Sequence, residues 1–424
     1  MKKQVFAALF LMSSVTTFGA GYQVNLQGVR QMAMAGAGTA WAWDASTIFY
    51  NPGALARLKS IQAYASMGVI VPATSFGNAN SSAVTQRQTF TPFNIYIGGP
   101  VQQDSKLALG IGIYTDAGIG IKWDNNWIGQ YIVRSIDLKA ICFQPTVSYR
   151  ISDFLSVGAG FVYAVGTFDM TQALPVHTIR GPLSTSLLGE NPDDSSVHLH
   201  ANANGVGFNV GLHFKPSDNL QIGLTYRSQI NMDVSGGSAT FQVPGSLRTS
   251  FPNTTFDSQL PLPQVASVGI AFKPAERLTL CFDLSYTGWN SFDSLRINFT
   301  NQTSALQNMH APRHYKNTWT PRLGANYKVS RVVSLMMGVV YDPTPVADGF
   351  VSPDLPDADR IAVTGGIAIR PLPRFTILAA FEGTTTVKRT GSYNYNAGAT
   401  TGDYFSGVYK TEAYTPALAI YYNF

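Results

Sequence analysis

His198 and His200 lie two residues apart, so they share one face of any strand that carries them, and His213 follows in the same run. Imidazole pairs of this kind bind zinc or copper. A strand face in a wet lumen needs no metal, and neither a metal nor another cofactor is expected. Cys142 and Cys281 are the only cysteines, too few and too far apart for a zinc site. Nothing in their spacing demands a disulfide, and two small unpaired residues are the simpler reading. For covalent catalysis the chain has no GxSxG nucleophile elbow, and no enzyme is expected. Gly158-Ala159-Gly160 lies inside a strand-like run and not at a strand-to-helix turn, which removes phosphate cradling. What remains is recognition. Arg150 and Arg227 occupy the polar positions of alternating runs, where a guanidinium could hold a carboxylate or pair with an acid such as Asp283. Leu183, Leu187 and Leu188 in one long connection, and Phe241, Leu247 and Phe251 in the next, offer apolar surface to a greasy ligand or to loop packing.

These residues must be positioned by strands. In Leu278–Thr287 the residues Leu278, Leu280, Phe282, Leu284 and Tyr286 alternate with Thr279, Cys281, Asp283, Ser285 and Thr287. Leu220–Arg227 and Ile141–Arg150 repeat the pattern. Period-two alternation is the mark of a strand with one apolar face. Only 12% of residues are charged, against about 25% in ordinary soluble proteins, while aromatics also reach 12%. No apolar run approaches the ~18 residues of a spanning helix. Low charge, abundant aromatics and alternating strands fit an antiparallel transmembrane β-barrel, whose apolar faces meet lipid on the outside. The net charge of +5 contains no Lys/Arg run and gives no case for nucleic acid.

About fourteen runs are long enough to cross a bilayer, which takes roughly 9–11 tilted residues. They fall near 60–71, 88–99, 105–115, 135–150, 154–170, 196–214, 219–234, 262–274, 278–290, 315–328, 332–343, 359–370, 374–388 and 408–424. Short turns such as Ser152-Asp153 and Pro216-Ser217-Asp218 alternate with long segments such as 116–134 and 235–261. An even-stranded barrel with both ends in the periplasm sorts its connections in this way. The last strand closes on Phe424, with Tyr422, Ile420 and Leu418 on the same face.

The amino-terminal region departs from this pattern. Met1-Lys2-Lys3 followed by the apolar run Val5–Met12 reads as a signal peptide over residues 1–19, with cleavage after Gly19 or Ala20. Residues 20–58 do not alternate. Gln31–Trp43 is rich in Ala and Gly, and Asp44-Ala45-Ser46 leads to the turn Asn51-Pro52-Gly53. A barrel of about fourteen strands has a bore its own side chains cannot fill. Residues 20–58 are therefore expected to form a hatch of short helices inside the lumen, with 59–424 as the barrel.

The order of several motifs resembles the FadL family of outer-membrane transporters. Ala20-Gly21-Tyr22-Gln23-Val24-Asn25 looks like that family's mature amino terminus, and Asn51-Pro52-Gly53 is similar to its Asn-Pro-Ala hatch motif. Leu224-Thr225-Tyr226-Arg227-Ser228, Tyr286-Thr287-Gly288-Trp289 and Trp319-Thr320-Pro321-Arg322-Leu323-Gly324 continue the likeness. So do Tyr341–Val346 and Pro353–Arg360. The resemblance implies passive transport of hydrophobic small molecules such as long-chain fatty acids, in a monomer embedded in lipid of the bacterial outer membrane. It also implies a ligand pocket beside Ala20, Gly21 and Tyr22, a hatch held by Asp44, Asn51 and Pro52, and a kinked strand that releases cargo sideways. Gly53 replaces the family's Ala, which leaves the turn intact but loosens it. A non-transporting barrel serving secretion or surface assembly is the alternative.

Overall fold

The alternation written in the sequence closes into a ring. The computed structural model describes residues 21–174, 195–386, 388–394 and 404–424. Its strands, several of them interrupted, are β1 (Gln62–Gly68, Val71–Gly77), β2 (Ser82–Val84, Phe93–Pro100), β3 (Leu107–Lys122) and β4 (Ser135–Arg150). Then come β5 (Leu155–Ala173), β6 (Ser196–Ser217), β7 (Leu220–Arg227, Ile230–Gln242) and β8 (Thr254–Leu262, Val265–Ala275). The ring is completed by β9 (Leu278–Thr287, Ser294–Phe299), β10 (Met309–Pro312, Thr318–Lys328), β11 (Val333–Asp342), β12 (Arg360–Leu372), β13 (Phe375–Thr386, Arg389–Asn394) and β14 (Tyr404–Asn423). Each strand runs antiparallel to its neighbours, and β14 returns to β1 with Gln62 opposite Asn423 and Gly68 opposite Ala417. Closure gives every strand two neighbours, which is what allows strands to exist in hydrocarbon. No described helix is long and apolar enough to cross a membrane; the strands make the crossing.

The wall is apolar on the outside. Ile111, Phe143, Val147, Phe208, Leu323 and Val363 all point outward and are exposed. Leu418 and Phe424 are each 63% exposed, so the face read from the last strand is the lipid face. Trp319 packs on Tyr286 at 5.0 Å, and Phe381 stacks on Tyr414 at 6.3 Å, as amphipathic rings do at a membrane interface. Cys142 and Cys281 are buried and free, on β4 and β9.

Several strands outrun the lengths read from the sequence. β3 continues to Lys122, β7 to Gln242, and β8 begins at Thr254. Beyond the lipid band the alternation continues with its sense reversed, Asn231, Asp233 and Asp257 outward and exposed, Ile230, Met232 and Phe256 inward and buried, while the ladder persists.

Residues 21–58 lie in the bore. Helix α1 (Val29–Met32), helix α2 (Thr47–Tyr50) and a 3-10 turn over Pro52–Arg57 carry the segment across it. Asn51 caps that turn by accepting from the Gly53 N–H, with Pro52 in the first helical position, where its missing N–H costs nothing.

Candidate functional site

The amino-terminal segment is fastened to the wall at both ends. At its far end, Asn51 is completely buried. Its Nδ2 donates to the carbonyls of Thr39 at 2.8 Å and Leu212 at 3.0 Å, while Oδ1 accepts from Gly53 N–H at 3.0 Å. Asp44 takes the Ser46 hydroxyl at 2.5 Å and its N–H at 3.1 Å, which turns the chain into α2. The wall beneath is paved with glycine. A Cβ on Gly158 would sit 2.4 Å from the Pro52 backbone, and one on Gly211 2.1 Å from Asn51 Oδ1. The reverse also holds: a Cβ on Gly53 would lie 2.5 Å from the Gly211 carbonyl oxygen. Gly53 therefore does more than leave a turn intact; the close approach of two backbones requires it. Asp283 holds the middle of the segment, accepting from Gly38 and Thr39 N–H, each at 2.9 Å.

The near end meets a break in the wall. The ladder between β2 and β3 stops at Asn94 and Tyr114. One residue on, β3 bulges between Thr115 and Ala117, so Asp116 is the extra residue that bends the strand. The edge that β2 abandons is taken at its base by the amino-terminal segment. Val24 N–H donates to the Asp116 carbonyl at 3.1 Å, and Gly118 N–H to the Tyr22 carbonyl at 3.0 Å. Tyr22 is buried edge-on against Trp289 at 4.8 Å, and its hydroxyl donates to the Pro261 carbonyl. Gly21 N–H donates to Asp357 Oδ2 at 3.0 Å, and Thr344 Oγ1 to the same oxygen at 2.7 Å.

Beside this segment lies a cavity of about 520 Å3. One side is apolar, with Val24, Leu26, Ile70, Phe90, Phe93, Ile119 and Leu355. The other carries Arg322, Asp342, Asp357, Arg360 and Glu382. Arg322 donates to Ser285 at 2.9 Å, and Arg360 lies 3.5 Å from Asp342. At the wall break the cavity reaches Lys139 and Ile141, which lie on the outer face of β4. A narrower apolar slot continues past Tyr22, floored by Phe168, Met232, Phe256 and Leu260 and ending at Arg313 and Asp354. Those two are paired through both guanidinium nitrogens at 2.6 and 3.2 Å.

Burial pushes the Asp357 carboxyl up to about 6, against the pull of Arg360 and the Gly21 N–H. A carboxyl raised on folding contributes stability that is complete below its unfolded value and is lost as pH rises through the folded one. The buried setting of Asp357 is thus most favourable below about pH 4 and less so as pH rises through about 6. The Gly21 N–H works in the opposite sense, because a donor binds the carboxylate more strongly than the acid. The melting temperature should fall across that interval, and Asp357→Asn should flatten the fall; an equally steep curve in the variant would exclude Asp357 as its source.

The structure distributes the sequence candidates unevenly. Gly21 stands at the cavity and Tyr22 at the narrower slot, and Asp44, Asn51, Pro52 and Gly53 form the seat just described. Arg227 is already engaged: it pairs with Asp116 at 3.1 Å and lies 4.1 Å over the Phe49 ring. Arg150 sits at the end of β4, donating to the Asp104 carbonyl at 3.0 Å and bordering neither cavity. Phe241, Leu247 and Phe251 are buried, with the two rings 5.9 Å apart, and pack the long connection after β7. Ala20, Leu183, Leu187 and Leu188 lie outside the described residues, as do residues 1–19. His198 and His200 face Asp169 at 3.3 and 2.9 Å, and no group of three metal-ligating side chains occurs among the described residues. The arginines that border the cavity, Arg322 and Arg360, were not singled out by residue type. Arg322 alternates with Trp319, Pro321 and Leu323, and that parity was the available signal.

A closed fourteen-stranded barrel with its own chain in the bore, a cavity beside that chain and a break in the wall defines a transport channel. The chain belongs to the outer membrane protein transport protein family (OMPP1/FadL/TodX), whose pattern matches residues 10–424. It is a membrane channel of the outer membrane and not an enzyme. It is 22% identical over 391 residues to the long-chain fatty acid transport protein of Salmonella typhi, covering 86% of this chain and 87% of that one. It is 24% identical over 410 residues to outer membrane protein P1 of Haemophilus influenzae, covering 88% and 84%. Its fold is similar to the crystal structure of a Pseudomonas aeruginosa FadL homologue, with a TM-score of 0.82, 20% identity and coverage of 96% and 100%. The Pseudomonas putida toluene transporter TodX matches with a TM-score of 0.69, 15% identity and coverage of 94% and 98%.

Proposed function

We propose that this protein takes up hydrophobic compounds passively, with long-chain fatty acids as the cargo that fits it best. One observation carries the reading: a single cavity joins a charged wall, the amino-terminal segment and the gap between β2 and β3. Its volume falls within the roughly 300–1,000 Å3 of small-molecule sites. An amphiphile with an anionic head suits the mixed lining, with Arg322 or Arg360 at its carboxylate and its chain along Ile70, Phe93 and Ile119. A small apolar cargo such as the toluene of TodX has no use for that charged wall. Residues 20–58 act as the hatch and 59–424 as the channel, in a monomer surrounded by outer-membrane lipid. Gly21 and Tyr22 form the movable lip of the site, which the sequence extends to Ala20, and Asp44, Asn51, Pro52 and Gly53 its fixed hinge. Ligand entering beside Tyr22 displaces residues 21–24 from β3, which widens the passage from the cavity through the gap, and the alkyl chain then leaves sideways into lipid.

The test is uptake of a labelled long-chain fatty acid by cells lacking their own transporter, with toluene as competitor. Uptake above the empty-vector background, reduced by Arg322→Leu about tenfold, the loss that ~1.4 kcal/mol of carboxylate recognition gives, is the expected result. Background uptake together with a stably copurifying partner would instead favour an assembly scaffold.

A further inference from the structure

The gap between β2 and β3 is partly covered by one ring. Beyond Asn94, β2 abandons β3 and leans on β1, where Phe90 and Ile70 exchange backbone hydrogen bonds of 2.8 and 3.0 Å. Pro92 has no N–H with which to resume the lost ladder. In the segment Thr85–Pro92 Phe90 is the single large apolar side chain. It is half-buried, borders the cavity and belongs to no core cluster. Packing of the interior therefore does not account for it.

Across the gap, β3 offers the ring an unusual floor. After the Asp116 bulge, Ala117, Ile119 and Ile121 pair with the buried Ala140, Leu138 and Ile136, and so face inward. Gly118 and Gly120 pair with Lys139 and Asp137, on the outer face. A Cβ on Gly120 would fall 1.8 Å from Phe90 Cζ and 2.3 and 2.6 Å from its Cε atoms. The ring thus occupies the space that any side chain at 120 would take. At Gly118 such a Cβ would meet only ordinary contacts, the Leu138 carbonyl at 3.5 Å and Val24 Cγ2 at 3.7 Å, so the Phe90 ring does not lie on that glycine. The floor of the gap is thus two glycines, of which the Phe90 ring covers Gly120 and leaves Gly118 free for a side chain.

We propose that Phe90 is the shutter of the sideways exit. Resting on Gly120 it narrows the outer mouth, and swinging off the glycine floor it admits a slender alkyl chain while refusing a wide one. The backbone of 85–92 stays tied to β1 at Thr85, Phe90 and Pro92, and to β3 through Gln86 N–H, which donates to the Lys122 carbonyl at 2.7 Å, so the motion is that of the Phe90 side chain. The inference rests on the transport reading above and adds a determinant of cargo width to it.

The experiment compares uptake of a straight-chain fatty acid with that of the same acid bearing a terminal pyrene, in cells lacking other transporters. Phe90→Ala should raise the pyrene-to-straight uptake ratio by about tenfold, as a ~1.4 kcal/mol fall in the barrier for the wide cargo requires. Gly120→Ala, whose methyl displaces the ring, should raise the ratio in the same direction. The double variant should not exceed Phe90→Ala, because both changes act on one contact. Folding of each variant is checked by its compact migration in unheated detergent gels. A Phe90→Ala barrel that folds and leaves the ratio unmoved, or loses both cargoes equally, overturns the shutter alone. A wild type at background removes the transport reading itself.

Discussion

Asn51→Ala is expected to give a folded barrel that leaks. The side chain is wholly buried and satisfies three backbone groups: the carbonyls of Thr39 and Leu212 and the N–H of Gly53. Alanine leaves all three without partners, and each such group costs about 1–3 kcal/mol where water cannot reach it. Even if relaxation recovers most of that, a loss of ~3 kcal/mol raises the undocked population of the segment by roughly a hundredfold. The barrel ladder is untouched, because Asn51 contributes nothing to strand pairing, so the penalty falls on local opening and not on global unfolding. Single-channel recordings in planar bilayers should show bursts where the wild type is quiet, and cells should become sensitive to large polar antibiotics. An equally quiet baseline in the variant would mean that the Asn51 seat does not hold the bore closed.

Much of this architecture was legible because lipid and lumen impose opposite chemistry on successive residues. In Leu278–Thr287 every outward and every inward residue could be assigned from parity alone. The count of strands followed from such runs, and so did the faces of Cys142 and Cys281. Parity fails where its cause fails. Above the lipid band the outward residues of β7 and β8 meet water while inward ones such as Met232, Val234, Phe241 and Phe256 are apolar and buried, so the pattern inverts, and 235–242 and 254–261 read as a connection although they are paired strands.

The site was less legible for a different reason. Arg227 was marked correctly as an inward cation, but its partner, Asp116, lies on β3, on another part of the wall. No local spacing links those two residues, and without that link Arg227 looks free to bind cargo. Arg150 has the same parity, yet its height on β4 places it at the rim. Parity gives the face of a residue; height and the rest of the wall decide its role. The bulge at Asp116 is hidden similarly. Thr115-Asp116-Ala117 carries no glycine or proline to announce a kink, and the register shift appears only against β4.

That bulge supports the second large expectation. Asp116 joins three things: its extra backbone residue bends β3, its carbonyl receives Val24 N–H at 3.1 Å, and its carboxylate receives Arg227 at 3.1 Å. Deleting it should straighten β3 and deprive the gap of its cause. A deletion alone would also strand Arg227, and an unpaired buried charge costs about 3–5 kcal/mol, enough to confuse lost function with lost fold. The informative variant combines the deletion with Arg227→Met, which keeps the contact over Phe49 without the charge. It should fold and stay electrically quiet, because the Asn51 seat is intact. Fatty-acid uptake should nevertheless fall by about tenfold or more, as a barrier increase of at least ~1.4 kcal/mol requires. Arg227→Met paired with Asp116→Asn serves as the reference: it removes the same ion pair but keeps the bulge, and it should retain most of the uptake. If both double variants transport equally, the sideways route through β3 is wrong and cargo must leave along the axis of the bore. If both are equally inactive, the ion pair and not the bulge is what transport needs.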